Sequence, residues 1–201
     1  MLLHALIPAS RANGPGLRAV VFFQGCKVGC VGCWNHATHQ FRGTEATIDV
    51  VAQEVLRSRQ EHRLEGITFS GGEPMQQADS LLRLIQCLRQ QAPELSFGMF
   101  SGYAEHELAK GHYWVWGDGS SEQGRKRLWQ EIRACLDFAI LGRFNLAQPS
   151  NLPLRTSRNQ VLRLFTDRYS PSDFSEQSTE INITDDGQVE ITGFPTRGLP
   201  W

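Results

Sequence analysis

The stretch Leu17-Arg-Ala-Val-Val-Phe-Phe23-Gln24-Gly25-Cys26-Lys-Val-Gly29-Cys30-Val-Gly32-Cys33-Trp34-Asn35-His36 decides the architecture. Residues 17–23 are a short, mostly apolar, β-branched and aromatic run, the pattern of a buried strand that ends at Gln24-Gly25. The cysteines therefore follow the C-terminal end of a strand, where open α/β sheets and barrels place their chemistry. Cys26, Cys30 and Cys33 fall within eight residues. They converge on one small object only if the backbone turns tightly, which Gly29 and Gly32 permit. Four cysteines would complete a zinc tetrahedron or saturate an iron–sulfur cube, whereas three leave one metal position free. Spacing alone leaves three alternatives open: an iron–sulfur cluster, a Cys3His zinc site closed by His36, or thiols with no metal at all.

Outward from this loop, the 201 residues, 40% hydrophobic content and formal net charge of −1 suit one globular domain. We expect a single domain over 1–201, with an N-terminal strand and turn (1–16), a core (17–170) and a C-terminal extension (171–201). The charge balance gives no general attraction to nucleic acid or anionic membrane. No stretch approaches eighteen apolar residues and no secretory leader pattern opens the chain, so a cytoplasmic location is expected, with neither nucleic acid nor membrane as partner. Five cysteines, three of them clustered, fit metal binding in a reducing compartment better than a disulfide framework. Cys87 and Cys135 are expected as buried small hydrophobes on helical faces.

Residues 2–7 read as a first, edge strand. Gly14-x-Gly16-x-x-Ala19 superficially matches a dinucleotide-binding turn, but that fingerprint needs a helix to start on its glycines, and a strand pattern follows instead. Thr47 is a plausible N-cap for a crossover helix carrying Ile48, Val51, Val55 and Leu56. Gly66-Ile-Thr-Phe-Ser70 reads as a strand. Gly71-Gly72-Glu73-Pro74 breaks it before a helix over 77–90 that presents Leu81, Leu84, Ile85 and Leu88. Two glycines let backbone approach a ligand closely, and a carboxylate beside a helix start is favourably placed; the same residues also make an ordinary βα turn. Strands at 95–101, 137–142 and 161–165, a helix at 125–136 and a hairpin turning at Asp185-Asp186-Gly187 complete the pattern. Residues 110–124, with Trp114 and Trp116, read as an inserted loop.

Gly14-Pro15-Gly16-Leu17-Arg18, Phe23-Gln24-Gly25-Cys26, Cys30-Val31-Gly32-Cys33-Trp34-Asn35 and Ser70-Gly71-Gly72-Glu73-Pro74 together resemble the radical S-adenosylmethionine (radical SAM) proteins. The match is closest to the activating enzymes of glycyl-radical enzymes, and among those to the ones serving anaerobic ribonucleoside-triphosphate reductase. It is strong over residues 12–103 and weaker through 137–144 and 154–161. The resemblance implies an α/β fold, a partial (β/α) barrel with a C-terminal β-hairpin. It implies that Cys26, Cys30 and Cys33 hold a [4Fe–4S] cluster with one open iron, which binds S-adenosylmethionine and is the catalytic centre. Gly32, Trp34, Asn35, Ser70, Gly71, Gly72 and Glu73 become cofactor-binding candidates, with Trp34 against the adenine and the glycine loop at the methionyl amino end. The implied reaction is reductive cleavage of the cofactor to a 5′-deoxyadenosyl radical that takes a hydrogen from a glycine of the partner. That partner would be the large subunit of anaerobic ribonucleotide reductase, and a flavodoxin or ferredoxin would donate the electron. Arg18 is brought near the cofactor or the partner, and Arg143, Arg155 and Arg158 could pair with a carboxylate on either. Many radical SAM proteins place an aromatic directly before the third cysteine, where Gly32 stands here. His36 and His39 are not expected as ligands, because a fourth protein ligand would block the open iron. The rivals are a radical SAM enzyme acting on a different glycyl-radical enzyme or a small molecule, and a non-catalytic zinc module built on Cys26, Cys30, Cys33 and His36.

Overall fold

The computed structural model describes residues 1–117, 119–174, 178–183, 187 and 189–194. Strand β1 (Leu2–Ser10) runs antiparallel to β2 (Arg18–Phe23), and the two-residue β3 (Thr44–Glu45) pairs with Leu2 and Leu3. Helix α1 (Ile48–His62) follows, capped by the Thr47 side chain, which accepts from the Val50 N–H. Then come β4 (Gly66–Gly71), a short 3-10 turn Pro74–Gln77, α2 (Ala78–Gln91), β5 (Ser96–Ser101), α3 (Glu105–Lys110), α4 (Glu122–Cys135) and β6 (Phe138–Leu141). Strand β7 (Val161–Leu164) closes a seven-stranded sheet of order β3-β1-β2-β4-β5-β6-β7. The four central strands β2, β4, β5 and β6 are parallel, and antiparallel pairs flank them on both sides. A separate antiparallel ribbon joins β8 (Thr179–Ile183) to β9 (Val189–Gly193). The expected turn residues Asp185 and Asp186 lie outside the described residues.

The period-two alternation of the strands sorts their side chains between two faces. Ala19, Val21 and Phe23 of β2, Ile67 and Phe69 of β4, Phe97 and Met99 of β5 and Ala139 and Leu141 of β6 share one core with helix residues. From α1 that core takes Val51 and Val55, from α2 Leu81, Leu84, Ile85 and Leu88, and from α4 Trp129 and Ile132. Phe138 and Ile140 of β6 join a smaller cluster with Leu154, Tyr169 and Phe174, against which Phe100 and Phe194 pack. The sheet thus has helices on one face, and on the other the loop chain after β6 together with the β8–β9 ribbon.

Four readings of the sequence change. Strand β1 extends to Ser10 and is not the edge, because β3 covers its first residues. Helix α3 was not visible, since only Leu108 of its six residues is buried, and α4 begins three residues earlier than expected, on a Ser121 cap. Cys87 and Cys135 are half-buried, packing at the margin of the core. Arg18 does not approach a cofactor. Its guanidinium is fully buried at the opposite end of β2 from Cys26, donating to Thr68 Oγ1 (2.8 Å), Ser96 Oγ (2.7 Å) and the Ile67 carbonyl (2.8 Å). Tyr169, hydrogen-bonded to Ser96, relays to the Glu65 carboxylate.

Candidate functional site

Each of the four parallel strands delivers a loop at the same rim. From β2 the chain passes Gly25, whose φ of +106° suits glycine and whose missing Cβ leaves room for the Phe41 ring. The Gly25 N–H donates to the Thr38 carbonyl (2.7 Å) and that of Cys26 to the His39 carbonyl (2.9 Å). The turn His36–Thr38 therefore backs the first cysteine from behind. Gly29 and Gly32 take the left-handed backbone that brings Cys30 and Cys33 round.

The glycines after β4 do something different from what their sequence suggests. A Cβ on Gly72 would lie 2.3 Å from the Gly25 carbonyl oxygen, and one on Gly71 2.6 Å from Phe23 backbone. Their close approach is to the neighbouring loop, sealed by Gly72 N–H to Phe23 carbonyl (2.8 Å) and Glu73 N–H to Gly25 carbonyl (2.9 Å). The cysteine loop and the Ser70–Glu73 loop are thus one rigid unit.

Glu73 ties in a third strand. Its buried carboxylate accepts from the Met75 N–H (3.0 Å), the Ser101 hydroxyl (2.8 Å) and the Gly102 N–H (2.7 Å), the last two at the end of β5. Burial pushes this carboxyl up to about 7, against the opposing pull of those three hydrogen bonds and of Arg143. Burial, then the nearby Glu73, pushes the Cys26 thiol up to about 11, and burial likewise raises Cys33. Metal uptake must displace these protons.

The loops enclose a cavity of about 420 Å³ on the face of the sheet away from the helices. Cys26, Cys30, Cys33, Trp34, Asn35, Ser70, Gly71, Gly72 and Glu73 all line it, together with Phe22, Phe100, Ile140 and Phe144, and β9 contributes Val189 and Ile191. Gly32 alone of the expected residues does not; it faces Leu146 and Phe144. Trp34 is partly exposed at the rim, 6.2 Å from the Phe144 ring. Asn35 Nδ2 reaches toward the Gly71 carbonyl at 3.4 Å, and His36 is exposed and outside the cavity.

Three half-buried thiols on one wall are a soft donor set suited to iron–sulfur ligation. Among the described residues no three His, Cys, Asp or Glu side chains converge closely enough to hold a single metal ion. Three cysteines leave one iron of a cube without a protein ligand.

Ser101 and Gly102, whose Ser-Gly-Tyr resembles the radical SAM segment at that strand end, were not among the expected cofactor-binding residues, and neither were Phe144 and the β9 residues. The parallel register that aligns the ends of β4, β5 and β6 brings Ser101, Gly102 and Phe144 here, and the separate β8–β9 ribbon brings Val189 and Ile191. Of the arginines, Arg143 is held by a carboxylate of this chain, Glu107, in a two-bond fork (2.6 and 2.8 Å). Arg155 and Arg158 donate to the carbonyls of Pro153 and Pro149.

Residues 12–163 match a family profile described as a 4Fe–4S single cluster domain. The chain is 28% identical over 171 residues to the anaerobic ribonucleoside-triphosphate reductase-activating protein of Vibrio cholerae, covering 83% of this chain and 99% of that one. It is 29% identical over 164 residues to the protein of the same name from Haemophilus influenzae (79% and 94% covered). Similarity extends to the pyruvate formate-lyase-activating enzyme of Clostridium pasteurianum, 31% identical over 109 residues (52% and 46% covered).

Proposed function

We propose, from the premise that this chain belongs to the family of 4Fe–4S single-cluster domains, that it is a radical SAM activating enzyme which installs a glycyl radical on an anaerobic ribonucleoside-triphosphate reductase. The carrying observation is the single cavity in which three thiols face the Ser70–Glu73 loop. Cys26, Cys30 and Cys33 hold the cluster, and His36, exposed and outside the cavity, is not a ligand to it. A [4Fe–4S] cluster held there would supply the electron for breaking the C–S bond of S-adenosylmethionine, which would release methionine and leave a carbon radical able to take a hydrogen atom from the partner's glycine.

The chain's own residues do the positioning. Ser70, Gly71 and Gly72 present backbone to the methionyl end of S-adenosylmethionine. Glu73 offers a carboxylate whose ionisation an ammonium group would favour, offsetting the burial that raises it. Trp34 and Asn35 take the adenosyl end at the rim, and Phe22, Phe100, Ile140 and Phe144 exclude water from the reacting carbon. We read the sheet as part of a barrel, with its helices outside, this cavity inside and the β8–β9 ribbon across the open side. The whole chain acts as one domain in the cytoplasm, reduced by a flavodoxin or ferredoxin. The names of the relatives favour the reductase over other glycyl-radical partners.

The test is to mix the reconstituted, reduced protein with S-adenosylmethionine and an anaerobic ribonucleoside-triphosphate reductase. A glycyl radical on the reductase is the expected result. Cleavage of the cofactor without any radical on the reductase would assign a different substrate.

A further inference from the structure

Cys26 has a second side. Phe41 packs on Gly25, the residue before it, and Lys27, the residue after it, sets its ammonium 3.8 Å above the Trp114 ring. Phe41 meets Trp114 edge-on at 5.0 Å and stacks on Trp116 at 5.9 Å, and Trp116 is 40% exposed. None of these rings lines the cavity. The platform is also held firmly to the cysteine loop. Gln76 accepts from the Lys27 N–H (2.8 Å) and donates to the Tyr103 hydroxyl (2.7 Å). That hydroxyl accepts from the Trp114 N–H (3.2 Å), and the Gln76 carbonyl accepts from the Trp116 N–H (2.7 Å).

Resting on the proposed function, we propose that this aromatic face, with Trp116 exposed on it, is the docking surface for a small acidic one-electron carrier that reduces the cluster. A substrate polypeptide must bring a C–H bond into the cavity, so it cannot act from a face walled off from it. An electron can, because it crosses packed protein without atomic contact. Tryptophan is, with tyrosine and arginine, among the residue types enriched in binding hot spots. Lys27 and Arg42, the latter next in chain to Phe41, are exposed, and neither forms an ion pair among those seen in the described residues. With a net charge of −1 the chain attracts no acidic protein as a whole, so local cations must steer it. The step balances simply. A flavin hydroquinone loses one electron to the oxidised cluster and becomes a semiquinone, with no proton or group transferred.

Cluster reduction is followed by stopped-flow absorbance in the reconstituted full chain, with chemically reduced flavodoxin as the probe carrier and dithionite as the small-molecule comparison. For Trp116→Ala the carrier's second-order rate should fall by about tenfold, with dithionite reduction and iron content unchanged. Trp116→Phe should recover part of the loss, and added salt should slow the wild-type carrier reaction. Wild-type carrier rates in both Trp116→Ala and the Trp114→Ala/Trp116→Ala pair would overturn the docking surface while leaving the proposed function intact. Equal slowing with dithionite would overturn it too, by placing the effect on the cluster itself. A wild-type chain that takes up no iron would overturn both.

Discussion

Replacing Gly72 by alanine tests the joint between the two loops of the site. The added Cβ would sit 2.3 Å from the Gly25 carbonyl oxygen and 2.8 Å from its carbon, both backbone atoms that cannot rotate away. Restoring an ordinary contact of about 3.4 Å requires the loops to part by roughly 1 Å. That separation stretches two hydrogen bonds, Gly72 to Phe23 (2.8 Å) and Glu73 to Gly25 (2.9 Å), beyond useful length. Two buried backbone bonds at about 1 kcal/mol each, with about 1–3 kcal/mol for overpacking, make a loss of roughly 3–5 kcal/mol. Since a domain's whole stability is about 5–15 kcal/mol, the effect is large. Urea unfolding of the apo-protein, with a slope of about 2 kcal/mol/M, should show the midpoint falling by roughly 2 M. Gly119→Ala is the control, because its Cβ meets nothing within 4 Å. A Gly72→Ala midpoint indistinguishable from that control would refute the close-approach reasoning.

Two further outcomes are expected. Glu73, raised to about 7 from an ordinary 4.5, retains a proton on folding that the unfolded chain has lost. Its contribution to apo-protein stability is therefore complete below about pH 4.5 and lost as pH rises through about 7, a difference of about 3 kcal/mol. Glu73→Gln should flatten that slope in urea titrations at pH 5 and pH 8, and an unchanged slope would assign the proton to another group. Arg18→Met should cost about 2–4 kcal/mol by leaving the carbonyls of Ile67 and Pro15 and the hydroxyl partners short of a donor. Iron content and response to S-adenosylmethionine should be unaffected. Normal stability with a lost cofactor response would return Arg18 to the cofactor's neighbourhood.

Local pattern carried much of this molecule. The apolar run before Cys26, the Thr47 cap and the Leu81, Leu84, Ile85, Leu88 stripe each announce an element through spacing that needs no tertiary context. Contacts distant in sequence stayed hidden. Nothing near Glu73 announces that Ser101 and Gly102 will donate to it, because that depends on the parallel register of β4 and β5. Gly71 and Gly72 signalled a close approach, but not that the object approached would be backbone from β2. Arg18 looked like a site residue because the family resemblance places its segment beside the cluster. Its partners, Ser96 and Tyr169, lie 78 and 151 residues away along the chain. Helix α3 escaped because so short a helix buries too little to show a period.

The most direct test of the central claim is electron paramagnetic resonance of the anaerobically reconstituted, dithionite-reduced protein, recorded with and without S-adenosylmethionine. A reduced-cluster signal that changes shape when S-adenosylmethionine is added, and that is lost in Cys26→Ala, Cys30→Ala and Cys33→Ala, is the predicted result. A colourless, zinc-loaded protein that stays silent after reconstitution would contradict it.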